Sequence, residues 1–240
     1  MIYASCFVAS AKCRDVEFPI EESVDLPIVQ FAANRPEDFA EAAELVYGRC
    51  RGVDLNCGCP KRDVRKCGCG SKLLENPELI AEIVRCTRAR ISDPDFSVSV
   101  KIRIDRDRRR TVDLCRQMEM AGVSHIAVHA RTVDMRDSEP ADLDALALNK
   151  SSVRFPVFAN GGCKTYDDAL EIERRTNVDV PPPTSSPYLE ISTTHCTVWV
   201  VRGGDDQALH KPHQLYRMFM PSRPAEISVA GWPHSNPQND

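Results

Sequence analysis

Short apolar segments alternate with amphipathic segments through the first three quarters of the 240-residue chain. The apolar segments are rich in β-branched residues, and we expect strands at 27–31, 53–56, 98–104, 125–130 and 156–160, with a further candidate at 1–3. The segments between them are predicted to be helices, at 36–47, 77–90, 108–121, 142–150 and 166–175. A repeat of strand and helix predicts parallel strands that are joined by right-handed crossovers.

Several of the predicted helices carry start or stop signals. Asn34 lies just before Pro36, and Asn76 lies just before Pro77, so each Asn is expected to cap a helix whose first turn contains Pro. Gly122 follows the helix predicted at 108–121 and is expected to adopt the left-handed conformation that ends many helices.

Nearly every predicted strand ends in a polar residue that could contact a ligand. These residues are Gln30, Asn56, Lys101, His129 and Asn160. An open doubly wound sheet would concentrate such groups at one switch point, whereas a closed barrel gathers them from all its strands onto one face. The barrel fits better. Because five clear strands and one candidate fall short of eight, we predict an α/β fold, a TIM (β/α)8 barrel that is incomplete.

Composition narrows the function without identifying it. The chain is 42% hydrophobic and 28% charged, with a formal net charge of −4. This charge excludes a globally basic nucleic-acid binder but leaves room for a local basic patch. No apolar run approaches the ~18 residues of a membrane span, and the amino terminus lacks the features of a signal peptide. We therefore expect no membrane association and a location in the cytoplasm or the nucleus.

The last quarter of the chain differs from the rest. Nine of the 17 prolines lie in the last 60 residues, where runs of Pro, Ser and Thr favour extended, solvated backbone. We therefore predict a partial barrel over residues 1–180 and a Pro-rich, mostly disordered tail over residues 181–240.

The segment after the strand at 53–56 concentrates the candidate chemistry. It is about 20 residues long, and long loops in compact domains are usually functional. It carries four of the 11 cysteines, namely Cys57, Cys59, Cys67 and Cys69. Four thiolates could bind zinc, although the spacing is not that of the usual CxxC knuckle. Redox pairing, one reactive cysteine, and simple packing in a tight loop are the other interpretations.

The same segment resembles a known family. The residues 54–60 (DLNCGCP), followed by Gly68-x-Gly70 and Leu73-Leu74, are similar to the signature of tRNA-dihydrouridine synthases, in particular the eukaryotic 20a/20b type that acts on the D-loop. Further similar segments follow the family's order at 28–34, 100–103, 128–132 and 159–161. The resemblance runs from residue 1 to about residue 180.

The resemblance implies a flavoenzyme on a TIM barrel. In this family FMN lies across the carboxyl-terminal mouth of the barrel and is reduced by NADPH or NADH. A hydride then passes to C6 of a uridine in tRNA, and a cysteine delivers a proton to C5, which yields 5,6-dihydrouridine. The cofactor supplies the hydride, so the protein must hold the base and provide one proton.

The family's site residues carry over onto matching positions of this sequence. Cys59 matches the catalytic proton donor. The positions matching cofactor ligands are Gln30, Lys101, His129, Asn160 and Gly161. Asn56 and Arg131 match residues that contact the substrate. The resemblance implies no bound metal.

The resemblance also has limits at both ends. Relatives begin with an additional strand that carries a Pro-Met pair, and they continue into a last strand with an Ala-Arg-Gly turn that binds the FMN phosphate. Neither motif is recognisable here, so we expect a chain that is truncated at both ends. Two other functions stay open: an inactive tRNA-binding remnant, and a zinc- or RNA-binding module on the CGC–CGC loop. The sequence makes no prediction of the oligomeric state.

Overall fold

The computed structural model describes residues 1–18, 26–163 and 165–179. These residues contain six strands, which are β1 (Ile2–Tyr3), β2 (Ile28–Ala32), β3 (Gly52–Cys57), β4 (Ser97–Arg103), β5 (His125–His129) and β6 (Val157–Asn160). They contain the helices α1 (Ala4–Ala9), α2 (Ala11–Glu17), α3 (Pro36–Val46), α4 (Arg62–Lys66), α5 (Pro77–Arg90), α6 (Arg108–Ala121), α7 (Leu143–Ser152) and α8 (Tyr166–Thr176), and a 3-10 helix at Gly70–Glu75.

The six strands form one parallel sheet whose spatial order is the same as their order in the chain. A doubly wound sheet would reverse its direction at a switch point, and this sheet does not. Helices follow the strands along its length. The predicted class is therefore confirmed: the described residues form an α/β fold with the winding of a TIM barrel. The predicted tail lies outside the described residues, as does the boundary at residue 180.

An apolar layer joins the outer face of the sheet to the helices. Phe31 on β2 packs edge-to-face against Phe7 of α1 at 5.2 Å and against Phe39 of α3 at 6.2 Å between ring centroids. All three rings are fully buried. Burying one such side chain stabilises a fold by roughly 1.5–3 kcal/mol. This layer therefore determines which face of each strand turns toward the helices.

The other face of the sheet is unusually polar for the inside of a barrel, where branched apolar residues usually dominate. Successive side chains of a strand point to opposite faces, so the residues between the apolar ones share this inner face. In the sheet register Gln30 lies beside Asp54, and Asp54 lies beside Ser99. One residue pair further along, Asn56 lies beside Lys101. The polar groups predicted at the strand ends therefore belong to one continuous surface.

Most predicted elements agree with the structure to within about two residues, and the strand candidate at 1–3 is confirmed as β1. The helices α1, α2 and α4 were not predicted. Asn76 caps α5 by accepting from the Leu79 N–H, and Gly122 has φ +89°, as expected. No helix in the described ranges is both long and apolar enough to cross a membrane.

The predicted cap at Asn34 is wrong. The residue before α3 is Arg35, whose side chain makes no capping hydrogen bond. Asn34 instead donates through Nδ2 to the carbonyl oxygen of Cys67 at 2.9 Å. A contact 33 residues away has therefore replaced the local one.

Candidate active site

A hydrogen-bonded cluster crosses three strands on the inner face of the sheet. The Asp54 carboxylate accepts from Gln30 Nε2 at 2.8 Å and from Ser99 Oγ at 2.7 Å. Asp54 is only 4% exposed, and burial raises the pKa of its carboxyl, while the bonds from Gln30 and Ser99 oppose this shift. A buried carboxylate is tolerated where donors satisfy its oxygens, as they do here.

Asn56 extends this cluster to the segment that follows β3. Its Nδ2 donates to Gln30 Oε1 at 2.9 Å. Its Oδ1 accepts from the backbone N–H of Gly58 at 3.1 Å and of Cys59 at 2.9 Å. Such a side-chain turn is typical of Asn after a strand. The path from Gln30 to the Cys59 backbone is thus two hydrogen bonds long.

The backbone of Cys59 is also held from its other side. Its carbonyl oxygen accepts from the Ser71 N–H at 3.0 Å. Gly70 has φ +62°, and a Cβ at this position would lie 2.7 Å from the Cys59 carbonyl oxygen. Only glycine combines this torsion with this close approach. The Cys59 side chain is half-buried and packs beside Val64 and Cys69.

The other three cysteines of the loop differ from Cys59 in environment. Cys57 lies in the apolar layer, and burial raises the pKa of its thiol well above the ordinary value. Burial likewise raises the pKa of Cys69 to about 11. Cys67 is exposed. Across the described ranges, no three His, Cys, Asp or Glu side chains converge in a way that could hold a metal ion.

A second group surrounds His129 at the end of β5. His129 is buried, and its Nδ1 has no hydrogen-bond partner among the described residues. Burial lowers the pKa of His129 to about 3, and nearby positive charges act in the same direction. Those charges belong to Arg103, Lys101 and Arg131. The imidazole is therefore neutral at physiological pH, with three cations around it.

Two arginines of this group are fixed by backbone oxygens. Arg103 Nε donates to the Gly58 carbonyl at 3.0 Å and its Nη1 to the Thr132 carbonyl at 3.1 Å. Arg131 Nε donates to the Glu139 carbonyl at 2.6 Å. Neither guanidinium forms an ion pair with a carboxylate of the described part of the chain. Their positive charge is therefore available to an anionic ligand.

Gly161 brings the backbone after β6 against this group. It has φ +90°, and a Cβ there would lie 2.7 Å from His129 Nε2 and 3.1 Å from Arg131 Nη1. Asn160, which precedes it, lies beside His129 in the sheet register and is buried. The predicted ligand positions 129, 131, 160 and 161 are therefore neighbours.

The match with known proteins decides the family. Residues 1–180 match the profile of the dihydrouridine synthase (Dus) family. The chain belongs to this dihydrouridine synthase family. The segment 54–60, which resembles the family's signature, contains Asp54 and Asn56 of the hydrogen-bonded cluster together with Cys59.

Curated relatives with dihydrouridine synthase names match three quarters or more of the chain. A tRNA-dihydrouridine synthase-like protein of Caenorhabditis elegans is 55% identical over 179 residues, which are 75% of this chain and 63% of that protein. A tRNA-dihydrouridine(20a/20b) synthase-like protein of Mus musculus is 45% identical over 180 residues, 75% of this chain and 55% of that protein. The tRNA-dihydrouridine(20a/20b) synthase of Saccharomyces cerevisiae is 34% identical over 234 residues, 91% of this chain and 64% of that protein. This chain therefore spans less than two thirds of each of these relatives.

The predicted site residues of this family member fall into two neighbouring groups. Gln30, Asn56 and Cys59 form the first group through direct hydrogen bonds. The second group contains His129, Asn160, Gly161 and Arg131. Lys101 lies beside Asn56 in the register, and its charge acts on His129, so it lies between the groups.

Asp54, Ser99 and Arg103 are members of the site that the sequence did not identify. For Asp54 the one available signal was a carboxylate between the apolar residues Val53 and Leu55 in a strand of a parallel sheet. Such strands are usually buried on both faces, so a charged residue within one needs specific partners. The partners themselves, Gln30 and Ser99, lie on other strands and can be found only from the register.

Proposed function

We propose that this protein reduces uridine in tRNA to 5,6-dihydrouridine, with FMN as its cofactor and NADPH or NADH as the reductant. The family and the names of its relatives support this reaction. One observation carries the proposal at the level of the site: the Asn56 amide links the inner face of the sheet to the backbone of Cys59. This link holds the Cys59 backbone two hydrogen bonds from Gln30, which supports a role for Cys59 as the proton donor.

The residues around His129 fit an anionic, hydrogen-bonding cofactor such as FMN. Among the described residues, the buried imidazole nitrogen has no partner and the two arginines have no ion pairs, which favours a ligand that carries negative charge. The close approach of Gly161 gives that ligand access to backbone groups. In this proposal Gln30, Lys101, His129, Asn160 and Gly161 hold the cofactor. When bound, FMN supplies the hydride that C6 of the uracil receives.

The protein's own part in the reaction is to hold the base and to protonate it. Cys59 transfers its thiol proton to C5 as C6 gains the hydride, so the C5–C6 double bond takes up one hydride and one proton. The half-buried thiolate then regains a proton from solvent. Asn56 and Arg131 contact the substrate, and Lys101 stabilises negative charge that develops near the mouth.

The target base must leave its stack to reach a site inside the barrel mouth. The tRNA backbone must therefore run along the surrounding surface. The segment between β3 and α5 presents exposed cations there, among them Lys61, Arg62 and Lys66. This local basic surface is compatible with the overall charge of −4, because phosphate contacts depend on nearby cations rather than on the net charge.

The proposal is tested by replacing Cys59 and measuring dihydrouridine in a tRNA that lacks the modification. Cys59→Ala is expected to lower the rate by roughly 100-fold or more, as the loss of a general acid does. It should leave the flavin absorption band of the purified protein unchanged. Cys67→Ala is the matched control, because this thiol lies in the same loop but is exposed. Mass spectrometry detects the product by its gain of two hydrogens.

Three results would contradict the proposal. Equal rates for the two variants would remove Cys59 from the reaction. A chain that binds tRNA and flavin but never forms dihydrouridine would be the inactive remnant. One tightly held zinc ion per chain, with no flavin, would favour the metal-binding module.

A further inference from the structure

The cluster on the inner face contains the buried Asp54 carboxylate. Asp54 accepts hydrogen bonds from two uncharged donors, Gln30 Nε2 and Ser99 Oγ. An ionised carboxylate can only accept hydrogen bonds, whereas an amide and a hydroxyl can each reverse their roles. Asp54 therefore fixes the direction of the hydrogen bonds from its end of the cluster, in agreement with the N–H donors of Gly58 and Cys59 at the other end.

The orientation of each amide in the cluster determines the orientation of the next. Because Gln30 must turn its NH2 group toward Asp54, its Oε1 faces Asn56 and accepts from Nδ2 at 2.9 Å. Because Asn56 donates through Nδ2, its Oδ1 is left to accept from the N–H groups of Gly58 and Cys59. A reversed Asn56 would set an NH2 group against two N–H donors.

We propose that Asp54 is a positioning residue for the proton donor: it orients the Gln30 and Asn56 amides, and through them it holds the backbone of Cys59. The inference rests on the proposed function in so far as Cys59 is the acid. Asp54 acts through the Gln30 and Asn56 amides. A misplacement of about 1 Å at the donor is enough to lower a rate on the order of 100-fold.

Asp54→Asn and Ser99→Ala distinguish the effect of the amide orientations from the effect of the negative charge of Asp54. In Asp54→Asn, the new amide can offer its oxygen to Gln30 and its NH2 to Ser99. The Ser99 hydroxyl can then donate to the Val53 carbonyl, which is 3.4 Å away. We expect this variant to keep its turnover number within about threefold of the wild type, since every bond is still made.

Ser99→Ala alone should also lower the turnover number only slightly, because the Asp54 carboxylate can still only accept hydrogen bonds. The double variant should lower the turnover number strongly. Without Ser99, the new amide can satisfy its buried NH2 group only by turning it toward Gln30, which reverses the cluster against the N–H groups of Gly58 and Cys59. We expect its turnover number to fall by roughly 30-fold or more, far beyond the product of the single effects. The Michaelis constant for tRNA and the flavin content should change little. A double variant no worse than that product would overturn the proposal.

Asp54→Leu removes the acceptor outright, and amide hydrogen exchange gives a readout without catalysis. The Gly58 and Cys59 N–H groups should be protected in the wild type and in Asp54→Asn, and should lose protection in Asp54→Leu. Unchanged protection in Asp54→Leu would refute the inference. If that variant fails to fold, the double variant shows the same loss of protection. If the wild-type chain makes no dihydrouridine, the proposed function fails, and exchange still decides whether Asp54 holds the Cys59 backbone.

Discussion

Acid should destabilise this protein through its buried histidines, of which His129 is the more informative. Burial lowers the pKa of His129 to about 3, against an ordinary value of 6.5. Between these values the unfolded chain binds a proton that the folded chain does not. The free energy of unfolding is therefore fully retained above about pH 6.5 and falls as the pH drops toward 3.

The size of the effect follows from the two pKa values. At about pH 5, one histidine with these values lowers the free energy of unfolding by about 2 kcal/mol relative to neutral pH. Burial also lowers the pKa of His125, to about 4, and this residue adds a similar loss. The Asp54 carboxyl acts in the opposite direction. Because its pKa is raised in the folded chain, acidification through this group increases the free energy of unfolding. Because several groups titrate together, only a difference between variants isolates His129.

The measurement is urea unfolding near pH 7.5 and near pH 5, followed by circular dichroism. His129→Asn cannot titrate, so its loss of stability on acidification should be smaller than that of the wild type by about 2 kcal/mol. Asn160→Ala is the control, since it alters a buried neighbour in the register without removing a titrating group. If His129→Asn loses as much stability as the wild type, the imidazole is not held neutral by its surroundings.

Glycine substitutions test the close approaches in the site. Gly122→Ala should lower the free energy of unfolding by about 1–2 kcal/mol, the cost of a left-handed torsion, because no atom lies within 4 Å of its added Cβ. Gly70→Ala should lower the free energy of unfolding by at least about 1 kcal/mol more than Gly122→Ala does, because its Cβ would lie 2.7 Å from the Cys59 carbonyl oxygen. Thermal unfolding of the two variants measures this difference. An equal loss of stability in both would contradict the close approach of Gly70 to Cys59. Gly161→Ala should displace the His129 ring and weaken flavin binding at least about tenfold, measured by flavin fluorescence, and unchanged affinity would remove Gly161 from the cofactor site.

The elements that the sequence predicted well are those whose signals are local. The strand segments are short, β-branched runs between turn residues, and α5 and α6 begin and end as predicted. Each of these helices is fixed by its own residues: Asn76 caps α5, and Gly122 ends α6. Signals of this kind depend on the neighbouring residues alone, so they can be found without knowing the fold.

The predictions that failed depended on distant partners. Asn34 has the residue type of a helix cap, yet Arg35 occupies the cap position and the Asn34 amide donates to the Cys67 carbonyl. The helix α4 has only five residues within a loop that the sequence presents as irregular. The resemblance located Gln30, Asn56 and Cys59, but the bonds between them follow from the register of β2 and β3. No local pattern contains that register.

The register of β3 also connects the apolar layer with the polar cluster on the inner face. Val53 and Leu55 are fully buried in the layer beneath the helices, and Asp54 and Asn56 alternate with them on β3. Because side chains alternate along a strand, a slip of β3 by one residue would carry both polar residues into the apolar layer. Such a slip would bury a carboxylate without donors and expose two large apolar side chains to the mouth, and both changes are strongly unfavourable. The packing of Val53 and Leu55 therefore stabilises the one register in which Asp54 meets Gln30 and Ser99. The position of the Cys59 backbone follows from core packing before any ligand binds.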